Sequence, residues 1–479
     1  MRRAGTVTRC LVVVAALVLA ACGAPGPTSP PGGQSGAAGN FPSGNKGDGS
    51  AKPDVKLPNC PLDALDKAKG KVRVTFWYRE TAEVETTLLD LVKRYNASQD
   101  KVEVVAQNQG DELYLKYQSA IRDNQLPDIA QIYDDEILSA VNTGTLLPAQ
   151  ACMAKAGFDL DTLEPAVRSF YTVNGVFWPG YVGLNQPILY INAADFRQAG
   201  LDPDKPPRTL DELYKTAKAL KKAGASEKPL AVYDGGPIME WLTAADKSIV
   251  NNNNGRTGAP TKSTFDNPTT HEIFDWLNKM DDEGLLLPAT FIDSLLALQG
   301  KSSMAIHLSG AASSIEVFMS GGKGGSLEPA AAPFPTLDGN DNGGLHHGNG
   351  FMIVNRSAPE VQAAAWDFLS FLLEPEQGLL WLTGASYLPF QKNVADSPAV
   401  RRFLEGKTFP GRVMAIASKR IATANPDNPG PLLVPELQGQ SNVIKKAAEG
   451  MLFGGSSPDQ AIDQADDDIT KIIGQYWGD

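Results

Sequence analysis

The sequence has little with which to do redox or metal chemistry. It holds four cysteines and four histidines in 479 residues. No C-x-x-C pair or zinc-type spacing is present, and His271, His307, His346 and His347 are too few and too poorly spaced to suggest a metal site. Adjacent residues on a strand face opposite ways, so His346 and His347 cannot share one ion without a bend. Nucleophile elbows (G-x-S-x-G), H-E-x-x-H and Walker-type loops are also missing, which removes the usual signatures of hydrolases and nucleotide-driven enzymes. Basic residues are in deficit, with 43 Lys+Arg against 55 Asp+Glu and a net charge of −12. Nucleic acid is therefore excluded as the natural partner, because phosphate neutralisation needs clustered cations. Long apolar runs are absent beyond residue 21, which excludes a polytopic membrane protein.

What is present begins with an address. Arg2, Arg3 and Arg9 precede the apolar run Cys10–Ala21, the pattern of a secretory leader. The run closes on Leu19-Ala20-Ala21-Cys22-Gly23, which resembles a lipobox and predicts lipidation of Cys22 after removal of residues 1–21. Loss of the three arginines would raise the carboxylate excess to 15. Residues 22–56 are rich in Gly, Pro and Ser and poor in apolar side chains, as expected of a disordered tether. A flexible coil of this length spans roughly 30 Å. Outside the cytoplasm the remaining pair, Cys60 and Cys152, is expected to form a disulfide, which closes a long loop and stabilises by about 4–5 kcal/mol.

The body alternates strand and helix patterns. Lys71–Trp77 alternates apolar and polar residues, Leu88, Leu91, Val92 and Tyr95 recur at helical spacing, and Lys101–Ala106 and Asp128–Tyr133 read as further strands. Such alternation predicts mostly parallel strands with helices on both faces. Pro187–Asn192 is another strand. Thr209 and Glu212 have capping-box spacing at the start of a helix striped with Leu210, Leu213, Tyr214, Ala217 and Leu220. Further helices are expected at Thr270–Glu283, Pro359–Leu373 and Pro458–Tyr476, and a strand at Phe351–Asn355. Asn251–Gly258, Gly321–Gly325 and Asp338–Gly344 read as surface loops. Asp134-Asp135-Glu136 could supply the paired carboxylates of a glycoside hydrolase, though carboxylates at a helix start are also favoured by its dipole.

One segment carries a specific resemblance. Tyr181–Leu213 reads YVGLNQPILYINAADFRQAGLDPDKPPRTLDEL. It resembles the bacterial extracellular solute-binding proteins of ABC importers, in particular the carbohydrate-binding type and its glycerol-3-phosphate and sugar-binding members. Supporting landmarks are Val74–Trp77, Leu126–Ile129 and Gly384–Pro389, so the resemblance covers roughly residues 70–475.

The resemblance implies an α/β, two-lobed periplasmic-binding-protein fold (type II), with a hinge of crossing strands and a ligand cleft between the lobes. Lobe 1 is expected at 60–183 with 348–396, and lobe 2 at 187–345 with 400–479. Crossings would fall near Gly183–Gln186, Leu345–Asn349 and Val394–Pro398. It implies a lipid-anchored, monomeric, non-enzymatic receptor without a cofactor, which hands a sugar or polyol to ABC permease transmembrane subunits. Tyr78, Glu80, Asp111, Asp134, Asn185, Ser309, Asn349 and Tyr387 match cleft positions of the family, with His347 beside them and Trp178 and Trp241 as stacking platforms. Trp276, Trp366 and Trp381 are expected in the core. The glycerol-phosphate binders carry an arginine late in the chain, yet Gly430–Gln438 has no basic residue. An uncharged saccharide is therefore expected, with a glycerophosphodiester as the alternative if Arg79, Arg412 or Arg420 reaches the cleft. A surface glycoside hydrolase and a sensor or adhesive lipoprotein without a permease remain the other classes.

Overall fold

A computed structural model describes residues 55–233, 237–320, 327–340, 347–428, 430 and 438–477. The leader (1–21), Cys22, nearly all of the tether, the Gly321–Gly325 loop, His346 and most of Gly430–Gln438 lie outside the described residues.

The first sheet is built from β1 (Val72–Tyr78), β2 (Val102–Asn108), β3 (Ile129–Tyr133) and β4 (Leu146–Leu147). A short hairpin follows, β5 (Thr172–Val173) with β6 (Val176–Phe177), turning at Asn174-Gly175 with positive φ at both. Next come β7 (Tyr181–Asn185) and β8 (Pro187–Asn192), separated by Gln186 alone. The second sheet adds β9 (Leu230–Tyr233), β10 (Leu286–Ala289), β11 (Met304–Leu308) and β12 (Pro329–Pro333), and the chain then enters β13 (His347–Val354).

In the first sheet the order is β2-β1-β3-β13-β4, with β7 also paired to β13. In the second it is β10-β9-β11-β8-β12. Both sheets are mixed rather than mostly parallel. β1 runs parallel to β2 and β3, but β13 is antiparallel to β3, β4 and β7. Likewise β9 runs parallel to β10 and β11, and β8 antiparallel to β11 and β12. The antiparallel pairs all involve β8 or β13, the strands by which the chain enters each sheet from the other. Continuous apolar sequence in β8 fits this place, since all six of its residues are buried.

The helices form where the spacing predicts them. Ala82–Ser98 buries Leu88, Leu91, Val92 and Tyr95 against the first sheet, and Leu210–Lys222 starts with the full Thr209/Glu212 capping box. Pro268–Asp282, Gln438–Leu452 and Pro458–Trp477 pack together over the second core. The Phe409–Thr423 helix touches β8 and β12 and also the Pro165–Phe170 helix. Cys60 and Cys152 are joined in a disulfide, which fixes the start of the body to the Ala149–Ala156 helix.

The asparagine run is a correction. Asn252, Asn253 and Asn254 take left-handed conformations in succession, and Asn254 turns inward and is fully buried instead of lining a surface loop. Its Oδ1 accepts the Ile249 amide at 2.7 Å, which offsets the cost of burying the side chain.

Candidate functional site

The parallel strands β1 and β3 both end at one edge of the first sheet, where open α/β sheets bind ligands. Arg79 and Glu80 leave β1 there, and Asp134, Asp135 and Glu136 leave β3 in a single 3-10 turn. β13 enters beside them with His347, Gly348 and Asn349, the last paired in register with Tyr133. Tyr387 arrives from the end of the Pro375–Ala385 helix, where Ser386 adopts a left-handed conformation and turns the chain.

These residues converge on one carboxylate. Glu80 Oε1 accepts the Tyr387 hydroxyl at 2.5 Å, the Asn349 amide at 3.2 Å and the Gln131 amide. The Asn349 amide also donates to the Tyr387 oxygen at 3.1 Å. Burial raises the Glu80 carboxyl, and donation from Tyr387, Gln131 and Asn349 opposes the rise. Two acceptors are left over. Glu80 Oε2 makes no hydrogen bond among the described residues, and Asn349 Oδ1 is buried without a partner. The Tyr171 hydroxyl is likewise buried and unpartnered.

Glycine makes this approach possible. A Cβ at Gly183 would lie 2.5 Å from the Tyr387 ring, and one at Gly348 would lie 2.0 Å from the Gly183 carbonyl oxygen. The Tyr387 ring also stacks on Trp381 at 5.5 Å, which fixes its plane from behind.

Around the carboxylate lies a dense charge cluster. Asp134 Oδ2 accepts the Gly348 amide at 3.0 Å. Burial pushes the Asp134 carboxyl up to about 7, Asp135 adds like-charge repulsion and His347 opposes. Glu136 is also raised to about 7 by burial, although Arg79 pairs with it at 2.9 Å. The Arg79 guanidinium is in addition stacked 3.6 Å from the Tyr133 ring centre. His347 Nε2 meets Glu240 Oε1 at 2.9 Å, and the Tyr233 hydroxyl donates to the same oxygen at 2.8 Å. Burial opposes charging of the imidazole, but Glu240 outweighs it and holds the His347 pKa above its ordinary value.

The remaining predicted residues fall into three places. Asn185 and Ser309 meet where β7 passes to β8: the Ser309 hydroxyl donates to Asn185 Oδ1 at 3.2 Å and accepts the Gln186 amide at 3.2 Å. Tyr78 is buried and spends its hydroxyl on Glu85 at 2.9 Å. Asp111 is exposed, and its carbonyl receives Arg79 at 3.4 Å. Trp178 is half-buried and donates to the Val173 carbonyl. Trp241 is fully buried in the second core, with its indole N–H on the Pro335 carbonyl, so it offers no stacking face in this arrangement. Trp366 and Trp381 are core residues, while Trp276 is half-buried with its N–H on Leu210. Arg412 donates to the Lys407 carbonyl on the surface, and Arg420 is buried 5.2 Å from the Phe334 ring centre.

Sequence reasoning missed Gln131 and Glu240. The signal for Gln131 was present: one amide inside the otherwise apolar strand Ile129–Tyr133. Glu240 sits in the Ile238–Ala244 helix, where nothing in its spacing marks it.

A family model for bacterial extracellular solute-binding proteins matches residues 90–403. The chain belongs to this family. The sn-glycerol-3-phosphate-binding periplasmic protein UgpB of Yersinia enterocolitica is 24% identical to this solute-binding protein over 427 residues, 83% of this chain and 91% of the relative. Among solved structures, the cyclic alpha-maltosyl-1,6-maltose binding protein of Arthrobacter globiformis matches with a TM-score of 0.69 and 23% identity, covering 85% of this chain and all of that one. MalE of Xanthomonas citri matches at 0.70 and 17% identity over 84% and 98%. UgpB of Mycobacterium tuberculosis, solved with glycerophosphocholine, matches at 0.68 and 18% over 85% and 99%. The fold is thus that of the two-lobed sugar-binding proteins. Among the described residues no helix is long and apolar enough to cross a membrane.

Proposed function

We propose that this solute-binding protein captures an uncharged sugar or polyol beside Glu80 and delivers it to an ABC permease. The observation that carries the reading is the pair of unused acceptors, Glu80 Oε2 and Asn349 Oδ1, at the centre of the network. A buried acceptor on Asn349 and an unused carboxylate oxygen on Glu80 call for a ligand that donates, and the hydroxyls of a saccharide do so without adding charge. Four carboxylates, Glu80, Asp134, Asp135 and Glu136, gather at the same edge and disfavour an anion. The cyclic alpha-maltosyl-1,6-maltose binding protein and the sugar-binding protein MalE share the fold, which supports the same ligand class.

The wider reading completes the receptor. Cys22 carries the lipid after removal of residues 1–21, and residues 22–56 tether a monomeric body to the outer face of the cell membrane. Lobe 1 comprises 60–183 with 348–396, lobe 2 comprises 187–345 with 400–479, and the lobes close on the solute. Tyr78, Asp111, Asp134, Trp178, Asn185, Ser309, His347 and Tyr387 complete the ligand-contact set with Glu80 and Asn349. The protein is a receptor and not a glycoside hydrolase.

A glycerophosphodiester is the second reading, favoured by the cations Arg79 and His347 at the site and by the UgpB relatives. A thermal-shift screen over saccharides, polyols and glycerophosphodiesters separates the two. A ligand at 100 times its Kd adds about 2.7 kcal/mol. Release of new reducing ends from an oligosaccharide would show catalysis and contradict the receptor reading.

A further inference from the structure

A cavity of about 500 Å³ is lined by Asp161, Arg168, Ser169, Thr172, Arg256 and Lys392 among others. It shares no residue with the site around Glu80. Three cations line it against one carboxylate, in a chain whose net charge is −12. That carboxylate is already engaged: Asp161 Oδ1 pairs with Arg168 at 2.5 Å, while Lys392 donates to the Asp161 carbonyl at 3.0 Å. Of the nearby acids, Glu164 is raised by burial, with Asp396 adding to the rise and Lys392 opposing it, so one of the three cations is partly offset.

Arg256 is the unusual member. It follows the left-handed asparagine turn and reaches across to the carbonyls of Ser169 and Phe170, at 3.0 and 3.1 Å from Nη1, and to that of Gly430 at 3.2 Å from Nε. The Ser169 and Phe170 carbonyls end the Pro165–Phe170 helix, where a cation is favoured. No carboxylate pairs with it among the described residues, and its Nη2 is buried with no hydrogen-bond partner. Burial alone pulls its pKa down to about 9. A guanidinium with a vacant N–H beside two further cations matches the planar, multiply accepting geometry of an oxyanion. The volume is within the range of small-molecule sites.

We propose that this cavity binds a small oxyanion, a phosphate or carboxylate group, between Arg256, Arg168 and Lys392. Arg256 comes from the chain between β9 and β10, whereas every other lining residue comes from residues 161–175 or is Lys392. Occupancy therefore ties residues 161–175, which follow β4 of the first sheet, to Arg256, which lies between β9 and β10 of the second, and by linkage the anion and any rearrangement of these segments affect each other.

The test titrates inorganic phosphate, and in a parallel arm acetate, into the full-length protein at ionic strength held constant with chloride, read by calorimetry and thermal shift. The expected result is saturable binding of one of the two beyond the chloride control, weakened at least tenfold in R168Q/K392Q while the affinity for the cleft ligand is unchanged. Binding is expected to persist in E80Q, which separates this cavity from the Glu80 site. R256K, which keeps the charge but loses the fork, is expected to weaken binding severalfold while remaining folded. No saturable response to either anion, or a response lost in E80Q and kept in R168Q/K392Q, would overturn the proposal.

Discussion

The Tyr387 hydroxyl and Glu80 Oε1 lie 2.5 Å apart although 307 residues separate them in the chain. One comes from the edge of the first sheet and the other from a helix end in the last quarter of the sequence, so the bond holds the site together from both sides. Replacing Tyr387 with Phe keeps the stack on Trp381 and removes only the donor. A loss of about 1–2 kcal/mol of stability is expected, because a buried carboxylate loses a charge-assisted bond. Ligand affinity should fall about tenfold, and calorimetric titration of Y387F checks both the affinity and its enthalpy.

Gly183 is held to glycine by the same ring. Gly183→Ala would press a methyl onto Tyr387 in the middle of the β7–β13 pair, where neither strand can retreat. Destabilisation of about 2–4 kcal/mol is expected. Chemical denaturation should show a lower midpoint with an unchanged slope; an unaltered midpoint would mean that the strands yield easily.

The acidic cluster sets a pH dependence. Asp134 and Glu136 titrate near 7 in the folded chain, above the 3.8 and 4.5 of their free forms. The folded state therefore binds more protons than the unfolded state between about pH 4 and 7, and stability falls as pH rises through that window. His347, raised by Glu240 against burial, acts in the same direction. A melting temperature higher by about 1–3 °C at pH 5.5 than at pH 7.5 is expected. D134N should flatten the slope.

The Cys60–Cys152 disulfide spans 92 residues of separation and fixes the start of the body to the first core. C60S/C152S should lose up to about 4–5 kcal/mol in the chain-entropy picture. Melting with and without reductant checks this: wild type should drop towards the variant on reduction, and the variant should not respond.

Much of the architecture was legible because periodicity reports burial directly. The Leu88–Tyr95 stripe, the Thr209/Glu212 box and the run Pro187–Ile191 of β8 each dictate one local structure. Direction of pairing was not legible. β8 and β13 look like any other apolar strand in sequence, and only their passage between sheets makes them antiparallel to their neighbours. At the site, Glu80, Asn349 and Tyr387 could be read from a resemblance spread along the chain. Gln131 needed attention to a single amide in an apolar strand. Trp241 was misplaced because a tryptophan near an irregular segment looks accessible until its indole N–H finds the Pro335 carbonyl. Asn254 was misplaced for the opposite reason, since a polar run hides one member that caps the chain from inside.

The central claim is that an uncharged, hydroxyl-bearing ligand binds at Glu80. Its most direct test is calorimetric titration of wild type and E80Q with a panel of neutral oligosaccharides and glycerophosphodiesters. The account predicts saturable binding of at least one neutral saccharide, weakened 100-fold or more in E80Q, which loses the acceptor charge without losing its shape. Binding confined to phosphate-bearing ligands, or saccharide binding indifferent to E80Q, would contradict it.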